Sequence, residues 1–198
     1  MFVKRGTRVN RDRSEEPTSD EAMLVQRAIG HDPEAFGRLY DIHVDRVYRH
    51  IYYRVGNEED AEDLTQQVFL KAWQAIHSYK ETASPFIAWL MTISHNLVVD
   101  FYRTKKDKAY LEAEVLADDT ASSPERAAEA SFEQQRLRKA ILQLGSDEQQ
   151  VIILRFIEGF EFAEIASVLK KKEGNVRVIL HRSLVKLRNI LEKESKES

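Results

Sequence analysis

The chain has 198 residues, 42% hydrophobic and 32% charged, enough apolar material for one core or two small ones and too much for wholesale disorder. Seven Gly and four Pro supply few turns for a many-stranded sandwich or barrel, so the expected class is all-α. Thirty Lys and Arg against thirty-three Asp and Glu give a net charge of −3, which excludes a uniformly basic nucleic-acid coat and leaves room only for a local one.

Residues 1–17 read as a flexible basic arm. Lys4, Arg5, Arg8, Arg11 and Arg13 are not followed by the apolar core of a secretory signal. A capping box at Thr18-Ser19-Asp20-Glu21 opens the first helix, with Met23, Leu24, Ala28 and Ile29 as its apolar set and Gly30 as its stop. Asp32 caps a second helix with Pro33 at its first position; Phe36, Leu39, Tyr40, Val44, Val47, Tyr48 and Ile51 repeat at helical spacing up to Gly56. Asn57 starts a third, acidic in its first turn, with the stripe Ala61, Leu64, Val68, Phe69, Ala72, Trp73 and Ile76. A loop from His77 to Ser84 leads through Pro85 into a fourth helix, Phe86 to about Lys105. Residues 18–105 thus make one small helical domain.

From 106 to 131 the periodicity fails and Asp118-Asp119-Thr120-Ala121-Ser122-Ser123-Pro124 is polar, which reads as a flexible linker. Helical spacing returns in a second domain, 132–198: a helix through Leu144, another opened by the capping box Ser146-Asp147-Glu148-Gln149 and stopped by Gly159, a short one from Ala163 to Leu169, and a long one from about Gly174 to Glu194. The last two have the proportions of a helix-turn-helix. Val176, Leu180, Leu184, Leu187 and Leu191 form the expected buried stripe, which turns Arg177, Val178, His181, Arg182, Val185, Lys186, Arg188 and Asn189 outward. Between Lys170 and Arg188, seven Lys and Arg face the single acid Glu173, a local formal charge of +6 on an acidic protein. Arg177 and Arg182 suit base edges or phosphates, Val178 a thymine methyl, and Lys170 to Lys172 phosphates. The competing reading is a solvated basic face on a packing helix.

On the third helix Asp60, Asp63, Gln66, Gln67, Leu70 and Gln74 share the face opposite the apolar stripe. An apolar anchor in a polar rim is the layout of a protein-docking surface, but on these residues alone the favoured reading is a solvated face with one stray Leu. On the loop and the fourth helix, Tyr79, Asn96, Tyr102, Arg103 and Lys105 interleave aromatics with amide and basic groups, as unpaired bases require. Trp89, Ile93, Leu97 and Phe101, at helical spacing, belong to the core.

An enzyme finds little to work with. Cysteine is absent, which removes disulfides, thiol nucleophiles and Cys-ligated zinc and suits a cytoplasmic setting. His31-Asp32 resembles a metal doublet, but Pro33 makes Asp32 a helix cap. No His pair at ligand spacing, Gly-rich phosphate loop or nucleophile motif is present, so neither catalytic residues nor metal nor cofactor is expected. No apolar run reaches membrane-spanning length, so no membrane insertion is expected.

Three segments in order resemble the extracytoplasmic-function sigma factors of bacterial RNA polymerase: Asp60-Ala61-Glu62-Asp63-Leu64-Thr65-Gln66-Gln67-Val68-Phe69-Leu70-Lys71-Ala72-Trp73; then Phe86-Ile87-Ala88-Trp89-Leu90 with Ile93-Ser94-His95-Asn96 and Asp100-Phe101-Tyr102-Arg103; then the terminal helix-turn-helix. The resemblance spans about Ala22 to Leu191. It implies a transcription initiation factor that binds core RNA polymerase through Asp60, Asp63, Gln66, Gln67 and Leu70. The minus-ten element would be opened and read by Tyr79, Asn96, Tyr102, Arg103 and Lys105, with Asn96 at the base-capture position. The minus-thirty-five element would meet Lys171, Lys172, Asn175, Arg177, Val178, His181 and Arg182. Val178 and Ile179 stand where a common family pattern has Ser and Arg. An anti-sigma protein is the further partner implied, and no sensor domain is expected beyond the terminal helix. The alternative is a helix-turn-helix regulator that binds DNA without polymerase.

Overall fold

The structure, a computed structural model, describes residues 19–80, 85–112 and 132–197. The basic arm, Thr18 of the first capping box and the polar stretch 113–131 lie outside the described residues. Among the described residues every regular element is helical: α1 (Ser19–Ile29), α2 (Pro33–Val55), α3 (Glu58–Ala75) with a 3-10 turn (Ile76–Ser78), α4 (Phe86–Glu112), α5 (Phe132–Leu142), α6 (Ser146–Ile152) running into a π-helical turn (Ile153–Ile157), α7 (Phe162–Leu169) and α8 (Glu173–Glu197).

Local chemistry explains the joints. Asp32 caps α2, its Oδ1 accepting from the N–H groups of Glu34 and Ala35 at 3.0 and 3.1 Å while Oδ2 accepts from Arg27 Nε at 2.8 Å. Those contacts, the backbone bond from Ala35 foremost, hold its carboxyl below the usual range. The left-handed residue that ends α1 is His31 (φ 62°), not the expected Gly30. The N–H groups of His31 and Asp32 return to Ala28 and Arg27, a Schellman closure that sets the stop one residue later. Gly56 (φ 78°) ends α2 and Asn57 caps α3, its Oδ1 accepting from Asp60 N–H at 2.9 Å. The fourth helix continues to Glu112, beyond the expected end at Lys105, so regular structure covers the first residues of the expected linker.

Helices α1 to α4 pack around Leu39, Val47, Ile51, Val68, Ala72, Leu90, Met91 and Val98, all fully buried or nearly so. On α1, Val25 faces this core, whereas Met23 is exposed. Helices α5 to α8 close on Ile141, Ile153, Leu154, Ile165 and Val176. The two groups also touch: α2 meets α5 and the π-turn, and α4 meets α7. Gly56 takes part in that contact, because a Cβ there would stand 2.9 Å from Leu142 Cδ1, and the Gly56 carbonyl accepts from Arg138 Nη1 at 3.0 Å.

Two expectations for the second half need correction. The N-cap of α6 is Gly145, whose N–H donates to Glu148 Oε2 at 2.9 Å; Ser146 lies inside the helix, and its hydroxyl instead accepts from Arg54 Nη2 at 2.9 Å. On α8, Leu184 is 41% exposed, and Ser183 takes the buried position with its hydroxyl donated to the Ile179 carbonyl at 2.8 Å. A stripe spaced four-four-three drifts around a helix of 3.6 residues per turn, whereas 176, 180, 183, 187 and 190 alternate four and three and stay on one side.

Candidate polymerase and promoter interfaces

The face of α3 opposite its core stripe is open to solvent. Asp63, Gln66 and Gln67 are exposed, and Leu70 among them is 57% exposed, an apolar side chain of the kind an interface covers. Asp60 belongs to the same face but is half-buried, and its carboxylate lies 3.9 Å from Lys105 Nζ. The acidic first turn of α3, Glu58 to Asp60, complements the positive end of its helix dipole.

Along α4 the expected minus-ten residues separate. Asn96, Tyr102, Arg103 and Lys105 are exposed. Tyr79 is not: its ring is buried against Phe86 and Trp89, with centroids 5.5 and 5.1 Å away, which removes it as a stacking platform. Just before it, the His31 ring stacks on His77 in the 3-10 turn and meets the edge of Trp73. Residues 81–84 of the loop that follows lie outside the described residues. Asn96 borders a cleft of about 210 Å³ with Lys71, Ala75, Trp89, Ile93, Leu97 and Asp100. Pockets for drug-sized ligands begin at about 300 Å³, and this cleft is smaller. Tyr102 donates its hydroxyl to the Arg54 carbonyl at 2.6 Å, and burial raises its pKa.

The helix-turn-helix is present as α7, the turn Lys170–Lys172 and α8. Lys170 adopts the left-handed conformation (φ 52°), and the N–H groups of Lys170 and Lys171 close on Ser167 and Ala166 as a second Schellman turn. The outer side of α8 exposes Asn175, Arg177, Val178, His181 and Arg182 as expected. Its cations divide into two sets. Arg177 pairs with Glu173 and lies over the Phe162 ring at 4.0 Å; Lys171 is 2.9 Å from Asp147; Lys186 is 2.6 Å from Glu148, whose pKa this contact lowers most. Lys172 and Arg182 carry no ion pair among the described residues, and their charge is open to a phosphate or a base edge.

Sequence reasoning missed a set of buried polar groups between the two helical groups. Arg54 is fully buried without a carboxylate partner; its Nη1 lies 3.3 Å from His95 Nδ1, and burial lowers its pKa to about 10, so it stays charged at neutral pH. His50 is fully buried beside Arg54, His95 and Gln150. Glu158 is buried between Arg46 and Arg49. Helical spacing marks these positions, since 43, 47, 50, 51 and 54 share one side of α2, but their polar identity hid them from an apolar pattern.

No group of three or more His, Cys, Asp or Glu placed to hold a metal occurs among the described residues, and no described helix is long and apolar enough to cross a membrane.

Comparison with known proteins matches both helical groups to one family. The Sigma-70 region 2 family matches residues 39–108 and the Sigma-70, region 4 family residues 134–187. The ECF RNA polymerase sigma factor BldN of Streptomyces coelicolor is 38% identical over 170 residues, 85% of this chain and 64% of that protein, so the match leaves about a third of BldN uncovered. The ECF RNA polymerase sigma factor SigW of Bacillus subtilis is 31% identical over 183 residues, covering 85% of this chain and 97% of SigW. Among solved structures, CnrH in complex with the cytosolic domain of CnrY superposes with a TM-score of 0.68 at 26% identity over 88% of this chain and 98% of that one. The sigma factor RpoE of Bartonella quintana, in complex with the anti-sigma factor NepR, shares the fold with a TM-score of 0.69 at 24% identity, over 79% of this chain and 96% of that one.

Proposed function

The chain belongs to the sigma-70 family, in the extracytoplasmic-function subfamily of RNA polymerase sigma factors, and on that premise we propose that it binds core RNA polymerase and directs it to specific promoters. The observation that carries the reading is that one chain holds both matched regions with two unlike surfaces exposed: the polar α3 face around Leu70 and the basic outer side of α8. A regulator acting without polymerase has no use for the first.

In this reading residues 18–105, with the rest of α4, form the polymerase-docking and minus-ten domain, and 132–198 the minus-thirty-five domain, joined by the stretch between them. Asp63, Gln66, Gln67 and Leu70 dock on polymerase, with Asp60 contributing once Lys105 is drawn to DNA. Asn96, Tyr102, Arg103 and Lys105 meet the minus-ten strand, where an extruded base is held by stacking and by hydrogen bonds to its edge. Tyr79 shapes the loop from beneath rather than touching DNA. Lys171, Lys172, Asn175, Arg177, Val178, His181 and Arg182 meet the minus-thirty-five element, Lys172 through phosphate and Arg182 through a base edge. The protein is not an enzyme in its own right and works in the cytoplasm beside polymerase. An anti-sigma protein is a further partner, as NepR is for RpoE.

Reconstitution tests this directly. Core polymerase with the purified chain gives a run-off transcript from a promoter mapped by overexpression, and core alone gives none. Tight operator binding by the chain alone, with no transcript in the presence of core, would establish the polymerase-independent regulator instead.

A further inference from the structure

Among the described residues Arg54 is the only buried Lys or Arg, and no carboxylate balances it. Its Nη2 donates to the Ser146 hydroxyl at 2.9 Å and its Nη1 lies 3.3 Å from His95 Nδ1, both neutral acceptors, while its Nε–H has no hydrogen-bond partner. Asp147, the acid whose charge reaches it, is paired with Lys171 at 2.9 Å and acts on Arg54 only from a distance. The buried carboxylate of Glu158 is treated differently, since Arg46 and Arg49 both meet it.

The polar groups beside Arg54 are unmatched in the same place. His50, one turn earlier on α2, is 0% exposed, and neither of its ring nitrogens is hydrogen-bonded. Gln150 on α6 is equally buried and approaches both His50 and His95, yet neither of its amide atoms makes a hydrogen bond of normal geometry. Two unmatched atoms on His50, two on Gln150 and one on Arg54 therefore share one locus. Native proteins leave few such atoms unmet, and a buried charge without a counter-charge is costlier still.

The chemistry of the locus selects its occupant. Water can satisfy the amide and the imidazole, but it leaves the guanidinium charge unbalanced. Burial and the Arg54 charge keep His50 neutral, so the locus carries one positive charge, which a monovalent anion cancels. Full burial calls for a small ion. The donors at hand, a guanidinium N–H, the single N–H of a neutral imidazole and an amide N–H, suit a spherical acceptor that imposes no geometry of its own. A cleft of about 310 Å³ gives access, for it ends against Arg54 and is otherwise lined by Val99, Tyr102, Leu142, Ser146 and Gln149. No carboxylate stands in its walls to repel an anion.

We propose that Arg54, His50 and Gln150 form a buried site for one small monovalent anion of the halide class, with chloride as its natural occupant. The bound ion neutralises Arg54 in place, so the melting temperature of the free chain depends on which anion surrounds it and not on ionic strength alone. That dependence holds whatever the chain does with polymerase.

Two measurements on the full chain test the site, with bromide as the diffraction probe and chloride as the stability probe. Crystals soaked in sodium bromide and measured at the bromine edge should show an anomalous peak in contact with Arg54 Nε. Raising chloride from about 10 to about 300 mM at constant ionic strength, with sodium glutamate as the balance, should raise the melting temperature by about 3 °C relative to the Arg54→Met variant. Arg54→Met should also lose the peak, and circular dichroism checks that it folds. Gln150→Leu keeps the arginine and removes one donor; it should halve the chloride-dependent shift and carries the comparison if Arg54→Met does not fold. No peak at Arg54 would overturn the site. So would a chloride-dependent shift equal in the parent and every folded variant. A peak there with no chloride-dependent shift in the parent, an adventitious ion only, would overturn it as well.

Discussion

Arg177 and Arg182 both project from the exposed side of α8, yet they are differently employed. Arg177 is held by Glu173 and the Phe162 ring, so its guanidinium is oriented before DNA arrives and buttresses the turn between α7 and α8. Arg182, with no such partner, can offer both guanidinium nitrogens to a guanine edge. Replacing Arg182 with Ala is expected to reduce minus-thirty-five discrimination by about 1–3 kcal/mol, read from transcription of a promoter series mutated at each upstream position. An unchanged preference would reduce Arg182 to a solvated cation. The buried histidines make a second residue-scale prediction. Burial, reinforced by the Arg54 charge, lowers the pKa of His50 well below its ordinary value and also lowers that of His95; Gln150 and Asp147 face the pair from α6, Arg49 adjoins His50 on α2, and the Lys171 charge lies nearby. The unfolded chain therefore takes up protons first as pH falls, near about 6.5, and the folded chain only at lower pH. Stability contributed by these rings is complete above that value and is lost as pH falls through the range below it. The melting temperature should drop between pH 7.5 and 5.5, before the carboxylates of Asp32 and Glu148 begin to protonate. His50→Gln should flatten that slope, and an equal slope in the variant would contradict the assignment.

At the scale of elements, α3 carries the docking claim. Its core side and its outer side are separated by helical period alone, so the outer side can be changed without disturbing the packing. Replacing Asp63 and Gln66 with Ala, or Leu70 with Ala, should leave the helical signal and melting temperature of the chain within experimental scatter and weaken core-polymerase binding by about 1–2 kcal/mol for the Leu70 anchor. Unchanged competition for core would remove the face from the interface. The same periodicity made most of the fold legible in the sequence: caps at Asp32 and Asn57, the α3 stripe and the helix-turn-helix all follow from spacing and capping chemistry that act within a few residues. The missed features share a physical cause. His50, Arg54 and Glu158 are polar, and their burial depends on side chains more than forty positions away, so nothing in their local sequence marks it. Tyr79 misled for a related reason, because an aromatic in a loop resembles a stacking platform until Phe86 and Trp89 are seen to enclose it.

For the whole molecule, a net charge of −3 conceals a segregated surface: acid at the start of α3, base on the outer side of α8, and a buried arginine–glutamate contact where the two halves meet. On the proposed function, a modest total would limit nonspecific DNA affinity and leave the chain available to polymerase. The central claim is that the two helical groups read two elements of one promoter, and do so only within polymerase. The most direct measurement is a footprint on a single promoter fragment, combining protection from cleavage upstream with permanganate reactivity of unpaired thymines downstream. Upstream protection centred near minus thirty-five and reactive thymines near minus ten are expected when chain and core polymerase are both present, with neither signal from the chain alone at the same concentration. Arg182→Ala should diminish the first signal and Asn96→Ala the second. Full protection by the chain without polymerase, or protection with polymerase and no thymine reactivity, would contradict the central claim.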